Sequence, residues 1–310
     1  MDRNPVKVTS YANIAIIKYW GKADAAQMIP STSSISLTLE NMFTETQLTP
    51  LHDATSDQFY IGGVLQTADE CHKMSKVLDL FRQNPKEYVK IETWNNMPTA
   101  AGLSSSSSGL SALVKAANDY FGTQKSRSEL AQLAKFASGS SARSFFGPLS
   151  AWDKDTGQIY QVETDLQLGM IMLVINDQKK AISSREGMKR AAETSPYFSK
   201  WVEQSKQDYK DMLTYLKAND FDKVGQLTQA NALRMHETNH QAQPAFSYLT
   251  DQTREAMAFV NKLRDSGEKC YFTMDAGPNV KVLCLAKDMK RLAKVFKQHY
   301  QVITSLTKDL

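Results

Sequence analysis

The sequence is poor in cysteine, in long apolar runs and in targeting signals. Its 310 residues include three cysteines and no CxxC pair, which argues against a disulfide framework and a structural zinc site. The longest apolar run, residues 168–175, is far too short to span a bilayer. The first residues contain no apolar segment of signal-peptide length. From these absences we expect a protein of the reducing cytoplasm with no membrane association.

The sequence also lacks a dense basic patch. The net charge is +4, charged residues make up 23% of the chain, and lysine and arginine are interspersed with acids. A nucleic-acid-binding protein usually concentrates its basic residues, so we expect no nucleic-acid partner. A mild positive field favours an anionic small molecule instead.

The order of strand-like and helix-like segments predicts an α+β protein. Alternating β-branched residues predict one long strand over 6–20, paired strands over 33–40 and 43–50, and a hairpin that turns at Gly62-Gly63. Helical patterns dominate after residue 195, and a strand, a turn and a strand follow over 271–286.

We expect two domains, residues 1–178 and 179–310, because the pattern changes after the buried strand that ends near residue 176. The first would contain strands and a serine-rich loop, and the second would be helix-rich over an antiparallel sheet. The cleft between two such domains is a usual place for a ligand, so we expect the active site there.

A run of five serines raises the choice between a flexible linker and a phosphate-binding loop. Residues 95–110 read NNMPTAAGLSSSSSGL, and apolar residues recur at helical spacing from Leu110 to Phe121. A buried helix therefore begins at or within the serines, whose first-turn N–H groups can bind an anion. The pattern favours the phosphate-binding loop, although it matches neither the Walker A motif nor the GxGxxG fingerprint.

Three further segments place cations beside aromatic or hydroxyl groups. The segment KYWGK (18–22) ends an apolar strand with two lysines, SGSSARS (138–144) contains Arg143, and Ser183-Ser184-Arg185 follows two lysines. Each set is also compatible with ordinary surface residues. Together they supply the ammonium and guanidinium groups that bind phosphate and carboxylate.

Asp275 lies in MDAGPN between two apolar strands. One interpretation is a turn aspartate, because Gly277 and Pro278 follow. The other is a carboxylate that orients a hydroxyl or accepts its proton. Combined with the hydroxyl-rich loops and the cations, Asp275 favours phosphoryl transfer to an anionic alcohol.

The segment HETNH (236–240) matches the HExxH zinc motif. Beyond it only His299 remains as a later histidine, polar residues surround the match, and Pro244 follows soon after. We interpret these residues as ordinary members of a helix.

Four segments in order resemble the diphosphomevalonate decarboxylases of the GHMP kinase superfamily. They are NIAIIKYWGK (13–22), MPTAAGLSSSSSG (97–109), SGSSARS (138–144) and TMDAGPN (273–279). The resemblance extends over essentially the whole chain and implies a GHMP kinase-like two-domain fold. The first segment is specific to the family, whereas the serine loop alone indicates only the superfamily. This chain has serine at 104 and 107 where the family more often has alanine, and SGSSARS replaces the commoner SGSACRS.

The resemblance implies an ATP- and Mg²⁺-dependent carboxy-lyase of the mevalonate pathway of isoprenoid biosynthesis. Such an enzyme phosphorylates the C3 hydroxyl of mevalonate 5-diphosphate and releases isopentenyl diphosphate, ADP, phosphate and CO₂. A homodimer is also implied. The nearest rival is a kinase of the superfamily that stops after phosphorylation, and a more distant rival is a non-catalytic nucleotide or anion sensor. KYWGK and Arg143 argue against the kinase, and Asp275 and Lys18 argue against the sensor.

The resemblance also implies site residues, position by position. The family's catalytic groups match Asp275, Lys18 and Arg143, of which Arg143 would hold the substrate carboxylate. The matching substrate-binding positions are Tyr19, Lys22, Ser138, Ser140, Arg143, Ser184 and Arg185. The matching ATP-binding positions are Pro98, Ala101, Gly102, Leu103, Ser104, Ser105, Ser106, Ser107, Ser108 and Lys180, the last on a loop that closes over ATP. Ser106 is the expected Mg²⁺ ligand.

Overall fold

The structure, a computed structural model, describes residues 3–97, 105–176 and 181–310, with the side chain of Ser105 outside the description. In chain order the elements are β1 (Val6–Ile17), β2 (Lys22–Asp24), β3 (Ile29–Pro30), β4 (Ser34–Pro50), β5 (Gln58–Ile61), β6 (Val64–Leu65), α1 (Ala68–Leu78), β7 (Val89–Asn95), α2 (Ser105–Phe121), α3 (Arg127–Ala137), a 3₁₀ helix (Ser141–Phe145), β8 (Leu149–Trp152), β9 (Ile159–Val162), β10 (Leu168–Val174), α4 (Ser184–Thr194), α5 (Phe198–Lys217), α6 (Phe221–His240), α7 (Asp251–Asp265), β11 (Cys270–Met274), β12 (Val280–Leu285), α8 (Ala286–Phe296) and β13 (Gln301–Leu306).

These elements form two compact units. Of the described residues, the first unit contains 3–13, 42–97 and 105–145, and the second contains 14–41, 146–176 and 181–310. The long strands β1 and β4 contribute residues to both units, because the division falls within each of them. Among the described helices, none combines the length and the apolar character needed to cross a bilayer.

The first unit is a sheet with helices packed on it. Its strands follow the order β6-β5-β7-β4, and β4 and β7 are antiparallel. The hairpin predicted at Gly62-Gly63 is confirmed, with φ values of +56° and +81° that suit glycine. Helix α2 begins at Ser105, which confirms that a helix starts within the serine run, and its apolar face is buried.

The second unit is built on a four-stranded antiparallel sheet in the order β11-β12-β10-β13. Side chains from alternate positions of these strands pack with α7 and α8 into an apolar core that includes Phe272, Val282 and Phe296. Helix α6 contacts β11, and Gly225 of this helix lies so close to Tyr271 that a Cβ atom would clash with its ring. The predicted strand, turn and strand over 271–286 are confirmed as β11 and β12.

Two strand predictions are wrong. The first strand ends at Ile17 instead of residue 20. The two strands predicted over 33–40 and 43–50 are one continuous strand of 17 residues. The polar pair Glu40-Asn41 resembles a turn in the sequence, but Asn41 donates a backbone hydrogen bond to Ser305 Oγ (2.9 Å) and the chain continues extended. A hydrogen bond to a residue distant in sequence thus keeps the strand continuous at this point.

Gly21 is a position where both backbone and space require glycine. Its φ is +100°, and a Cβ atom would lie 2.4 Å from a ring carbon of Phe198. We expect Gly21→Ala to lower the free energy of unfolding by about 3 kcal/mol, through backbone strain and overpacking together. The matched control is Gly157→Ala, because Gly157 also has a positive φ but open space around it. This control should cost only about 1 kcal/mol, and equal losses in urea unfolding would contradict the steric argument.

Candidate active site

An ion pair between Lys18 and Asp275 is the centre of the candidate site in the second unit. Lys18 follows β1 and is 2% exposed, and its Nζ donates to Oδ1 of Asp275 at 2.7 Å and to the carbonyl of Ala15 at 2.8 Å. Asp275 follows β11, and its side chain remains 24% exposed. The structure therefore brings together two residues that are 257 positions apart, and it leaves part of the Asp275 side chain exposed.

A polar network fixes the backbone of Lys18. Its N–H donates to Asn231 Oδ1 at 2.8 Å, and Asn231 Nδ2 donates to the buried carboxylate of Asp208 at 2.8 Å. Arg234 donates to the same Asp208 oxygen at 2.5 Å, so that the buried charge is paired. Because both ends of the Asn231 amide are bonded, its orientation is determined. Sequence reasoning missed this network, since nothing in the local pattern links α5 and α6 to KYWGK.

The rest of KYWGK is held by its alternating side chains. The Trp20 indole donates to Thr238 Oγ1 at 3.0 Å within an apolar cluster that includes Trp201. Tyr19 points elsewhere and stacks on Trp152, with ring centroids 5.4 Å apart. These contacts orient Lys18 and Tyr19 independently of any ligand.

A second lysine, Lys281, contacts the same carboxylate. Its Nζ lies 3.1 Å from Asp275 Oδ2, and its side chain is completely buried. Burial raises the pKa of Asp275, but Lys18 and Lys281 outweigh that effect and hold the pKa well below its usual range. Asp275 is therefore ionised at neutral pH. Sequence reasoning missed Lys281, although a lone lysine within the run VKVLCL was the available signal.

A second group of cations lies near the start of α4. Ser183 is the N-cap of this helix and accepts a hydrogen bond from the Glu186 N–H, which places Ser184 and Arg185 in the first turn. Burial lowers the pKa of Lys22, and the nearby charge of Arg185 lowers it further. Two like charges beside a helix N-terminus favour an anion between them.

In the first unit, Arg143 lies on the 3₁₀ helix and is 2% exposed. The side chain of Asn13 braces this segment, because its Nδ2 donates to the Ser140 carbonyl at 2.9 Å and to Ser144 Oγ at 2.8 Å. Asn13 is the first residue of NIAIIKYWGK, and it was not among the predicted site residues. Ser138 and Ser140 are neighbours, with their hydroxyl oxygens 3.2 Å apart.

The serines at the start of α2 differ in direction. Ser106 is exposed, whereas Ser107 and Ser108 are buried. Ser108 shares a hydrogen bond of 2.7 Å with Thr44, and Ser107 Oγ accepts from the Asn13 N–H at 3.4 Å. Buried hydroxyls thus anchor the helix start, and the Ser106 hydroxyl faces outward.

Several predicted positions lie outside the described residues. They are Pro98, Ala101, Gly102, Leu103, Ser104 and Lys180, together with the side chain of Ser105.

The HETNH segment lies at the end of α6. His236 is buried near Lys18 and Asp275, whereas His240 is turned outward with Nε2 3.2 Å from Ser247 Oγ. Burial lowers the pKa of His236 to about 3, and the charge of Lys18 adds to this effect. Over the described ranges, no group of three or more histidine, cysteine or acidic side chains is arranged to hold a metal ion.

Comparisons with known proteins place this architecture in a class. The solved structure of mevalonate pyrophosphate decarboxylase from Streptococcus pyogenes superposes with a TM-score of 0.96 at 65% identity, over 100% of this chain and 98% of that chain. A structure described as MDDEF in complex with MVAPP, AMPPCP and magnesium superposes with a TM-score of 0.92 at 38% identity, over 99% and 97%. The fold is thus the two-domain, GHMP kinase-like fold, as predicted.

Sequence comparison gives the family. Residues 10–163 match the diphosphomevalonate decarboxylase-like N-terminal domain, and residues 170–309 match the mevalonate 5-diphosphate decarboxylase C-terminal domain. The diphosphomevalonate decarboxylase of Candida albicans is 30% identical over 94% of this chain and 88% of its own length. The chain belongs to the diphosphomevalonate decarboxylase family, which confirms the resemblance read from the motifs. The boundary after residue 178 stays a prediction.

The buried His236 generates a prediction about stability. Between its ordinary pKa and about 3, the unfolded chain binds a proton at this position and the folded chain does not, so stability falls as pH falls through this window. At pH 5 the loss relative to pH 7 is about 2 kcal/mol, at about 1.4 kcal/mol per pKa unit. We expect His236→Gln to remove most of this loss of stability between pH 7 and pH 5, measured by urea unfolding at both pH values. The control His52→Gln changes an exposed histidine, and an unchanged pH dependence in His236→Gln would contradict this account.

Proposed function

We propose that this protein catalyses the ATP-dependent decarboxylation of mevalonate 5-diphosphate to isopentenyl diphosphate, within the mevalonate pathway. The observation that carries the proposal is the Lys18–Asp275 ion pair, which joins KYWGK to MDAGPN in a chain of this family. The related complex with MVAPP, AMPPCP and magnesium supports ATP and Mg²⁺ as the co-substrate and the metal.

In the proposed reaction, Asp275 orients the C3 hydroxyl of the substrate. The hydroxyl oxygen attacks the γ-phosphorus of ATP, the bond from phosphorus to the bridging oxygen breaks, and ADP leaves. Because two ammonium groups keep Asp275 ionised and weakly basic, it accepts a hydrogen bond from the hydroxyl and takes its proton late, as the bond from oxygen to phosphorus forms. The loose transition state of phosphoryl transfer needs little base assistance, so orientation is the larger contribution. Lys18 stabilises charge beside the reacting oxygens.

The second half of the reaction needs a held carboxylate. When the C3–O bond breaks, phosphate takes the electron pair and positive character develops at C3. The bond to the carboxylate carbon then supplies its electrons to the new alkene, and CO₂ leaves. We propose that Arg143 binds the substrate carboxylate, because its planar guanidinium can donate two parallel hydrogen bonds to the two carboxylate oxygens. The braced 3₁₀ helix supports this role, because a fixed arginine directs the departing group.

The remaining predicted residues divide between the two ligands. We assign the substrate diphosphate to Tyr19, Lys22, Ser184 and Arg185, and we also propose Ser138 and Ser140 as substrate-binding residues. The cations near the start of α4 support this assignment. We assign the ATP phosphates to Pro98, Ala101, Gly102, Leu103, Ser104, Ser105, Ser106, Ser107, Ser108 and Lys180.

Magnesium fits this site with few protein ligands. Mg²⁺ prefers oxygen ligands and is commonly held by substrate phosphates, water and one or two protein groups. The exposed hydroxyl of Ser106 offers one such oxygen, and we propose it as the ligand. When bound, the ion would neutralise phosphate charge.

We also propose a cytoplasmic homodimer. The three cysteines are free in the structure, as expected in a reducing compartment. Light scattering of the purified protein at micromolar concentration checks the dimer, and a monomeric mass would contradict it.

The reaction is tested by incubating the protein with ATP, Mg²⁺ and mevalonate 5-diphosphate labelled in the carboxyl carbon. We expect CO₂ and ADP in equal amounts. ADP without CO₂ would instead indicate the rival kinase, and the absence of both products would favour the non-catalytic sensor.

The role of Asp275 is tested by Asp275→Ala. We expect turnover to fall by roughly 10³-fold or more while ATP still binds, because the substrate hydroxyl loses its orienting partner. The matched control is Asp222→Ala, which removes a carboxylate that pairs with Lys269 elsewhere in the second unit. Stopped-flow turnover and calorimetric ATP binding measure the two effects, and near-normal turnover of Asp275→Ala would remove it from the mechanism.

A further inference from the structure

Lys281 is a lysine where the strand pattern calls for an apolar residue. It lies in β12, within the sequence VKVLCL, and its side chain is completely buried. A buried ammonium group is unfavourable unless it is paired, since it loses its hydration. The strand would be more stable with a well-packed apolar residue at this position, so the lysine calls for a reason other than folding.

The register of the sheet determines the face on which the Lys281 side chain lies. Lys281 pairs with Thr273 of β11 on one side and with Met172 of β10 on the other. Its neighbours Val280 and Val282 point to the opposite face, where they join the core with α7 and α8. The ammonium group therefore emerges on the face that carries Asp275 at the end of β11.

The two lysines hold different oxygens of one carboxylate. Lys18 donates to Oδ1 at 2.7 Å, and Lys281 lies 3.1 Å from Oδ2. Lys18 comes from the segment that follows β1, whereas Lys281 comes from the middle of a four-stranded sheet. A carboxylate with an ammonium group beside each oxygen cannot rotate freely about its terminal bond, so its orientation is fixed.

We propose that Lys281 is a positioning residue for the decarboxylation, which fixes the orientation and the charge of the Asp275 carboxylate toward the substrate hydroxyl. This inference rests on the proposed function. Lys281 touches neither substrate nor nucleotide in this scheme and acts through Asp275.

The alternative is an ion pair that only stabilises the fold, and a pH profile separates the two roles. The groups that face Asp275 are Lys18, Lys281 and His236, and His240 also interacts with His236. With both lysines present, Asp275 stays ionised well below neutral pH. Without Lys281, burial opposes only Lys18, and the pKa of Asp275 rises. One opposite charge at this distance changes a carboxyl pKa by about 1–3 units.

The experiment compares kcat between pH 4 and pH 8 for the wild-type enzyme and Lys281→Met, with CO₂ release as the readout. We expect kcat of the variant at pH 8 to fall about 10-fold with little change in KM for ATP. We also expect the ratio of kcat at pH 4 to kcat at pH 8 to fall about 2-fold relative to the wild type, because a pKa that returns to its ordinary value of about 3.9 leaves only half of the Asp275 carboxylates ionised at pH 4. Lys281→Arg keeps the charge and should keep the wild-type ratio.

Three controls make the result specific. Lys269→Met removes an exposed lysine that precedes β11 and pairs with Asp222 of α6, and it should leave both kcat and the ratio unchanged. The double variant Lys281→Met/His236→Gln should keep the lowered ratio, which assigns the titration to Asp275. Thermal unfolding of each variant checks folding, and Lys281→Gln replaces Lys281→Met if the latter does not fold.

The outcomes are distinguishable. A wild-type enzyme that releases no CO₂ overturns the proposed function itself. If the wild type is active and the kcat–pH profile of Lys281→Met is parallel to the wild-type profile, only the positioning role is overturned. This holds whatever the change in melting temperature. Loss of the lowered ratio in the double variant assigns it to His236 and also overturns the proposal.

Discussion

The candidate site in the second unit depends on one buried electrostatic arrangement, a carboxylate between two ammonium groups. Removing a charge from water is costly, and the cost is offset only where opposite charges are held in good geometry. Lys18, Lys281 and Asp275 meet that condition with contacts of 2.7 and 3.1 Å. The carboxylate is thereby ionised and oriented before any ligand arrives. In this state it can accept a hydrogen bond from a substrate hydroxyl.

Much of the surrounding fold maintains that arrangement. The Asp208–Asn231 network fixes the Lys18 backbone, and the antiparallel register of β11 and β12 places Lys281 beside Asp275. In the first unit, Asn13 has a comparable effect on the segment with Arg143. In both units the segments that carry the proposed site residues are therefore held by hydrogen bonds of buried amide side chains, Asn231 in the second unit and Asn13 in the first.

The sequence predicted the local elements well where the signal was local. The hairpin at Gly62-Gly63 and the helix that begins within the serines follow from turn and capping preferences, and both are confirmed. The prediction failed at residues 40–43, because a hydrogen bond from the Asn41 N–H to Ser305 Oγ keeps the chain extended where two strands had been predicted. Such a contact joins residues that are 264 positions apart, and no local pattern encodes it.

The sequence by itself determined the family and the chemical inventory. Its motifs predict Lys18, Asp275 and Arg143 as site residues, because phosphoryl transfer and carboxylate binding use ammonium, carboxylate and guanidinium groups. Only the tertiary structure decided that Lys18 and Lys281 both contact Asp275. It also decided that His236 of the HExxH match is buried beside them as a neutral side chain. The physical reason is that charge pairing depends on distance in space, and strand register and helix packing set that distance.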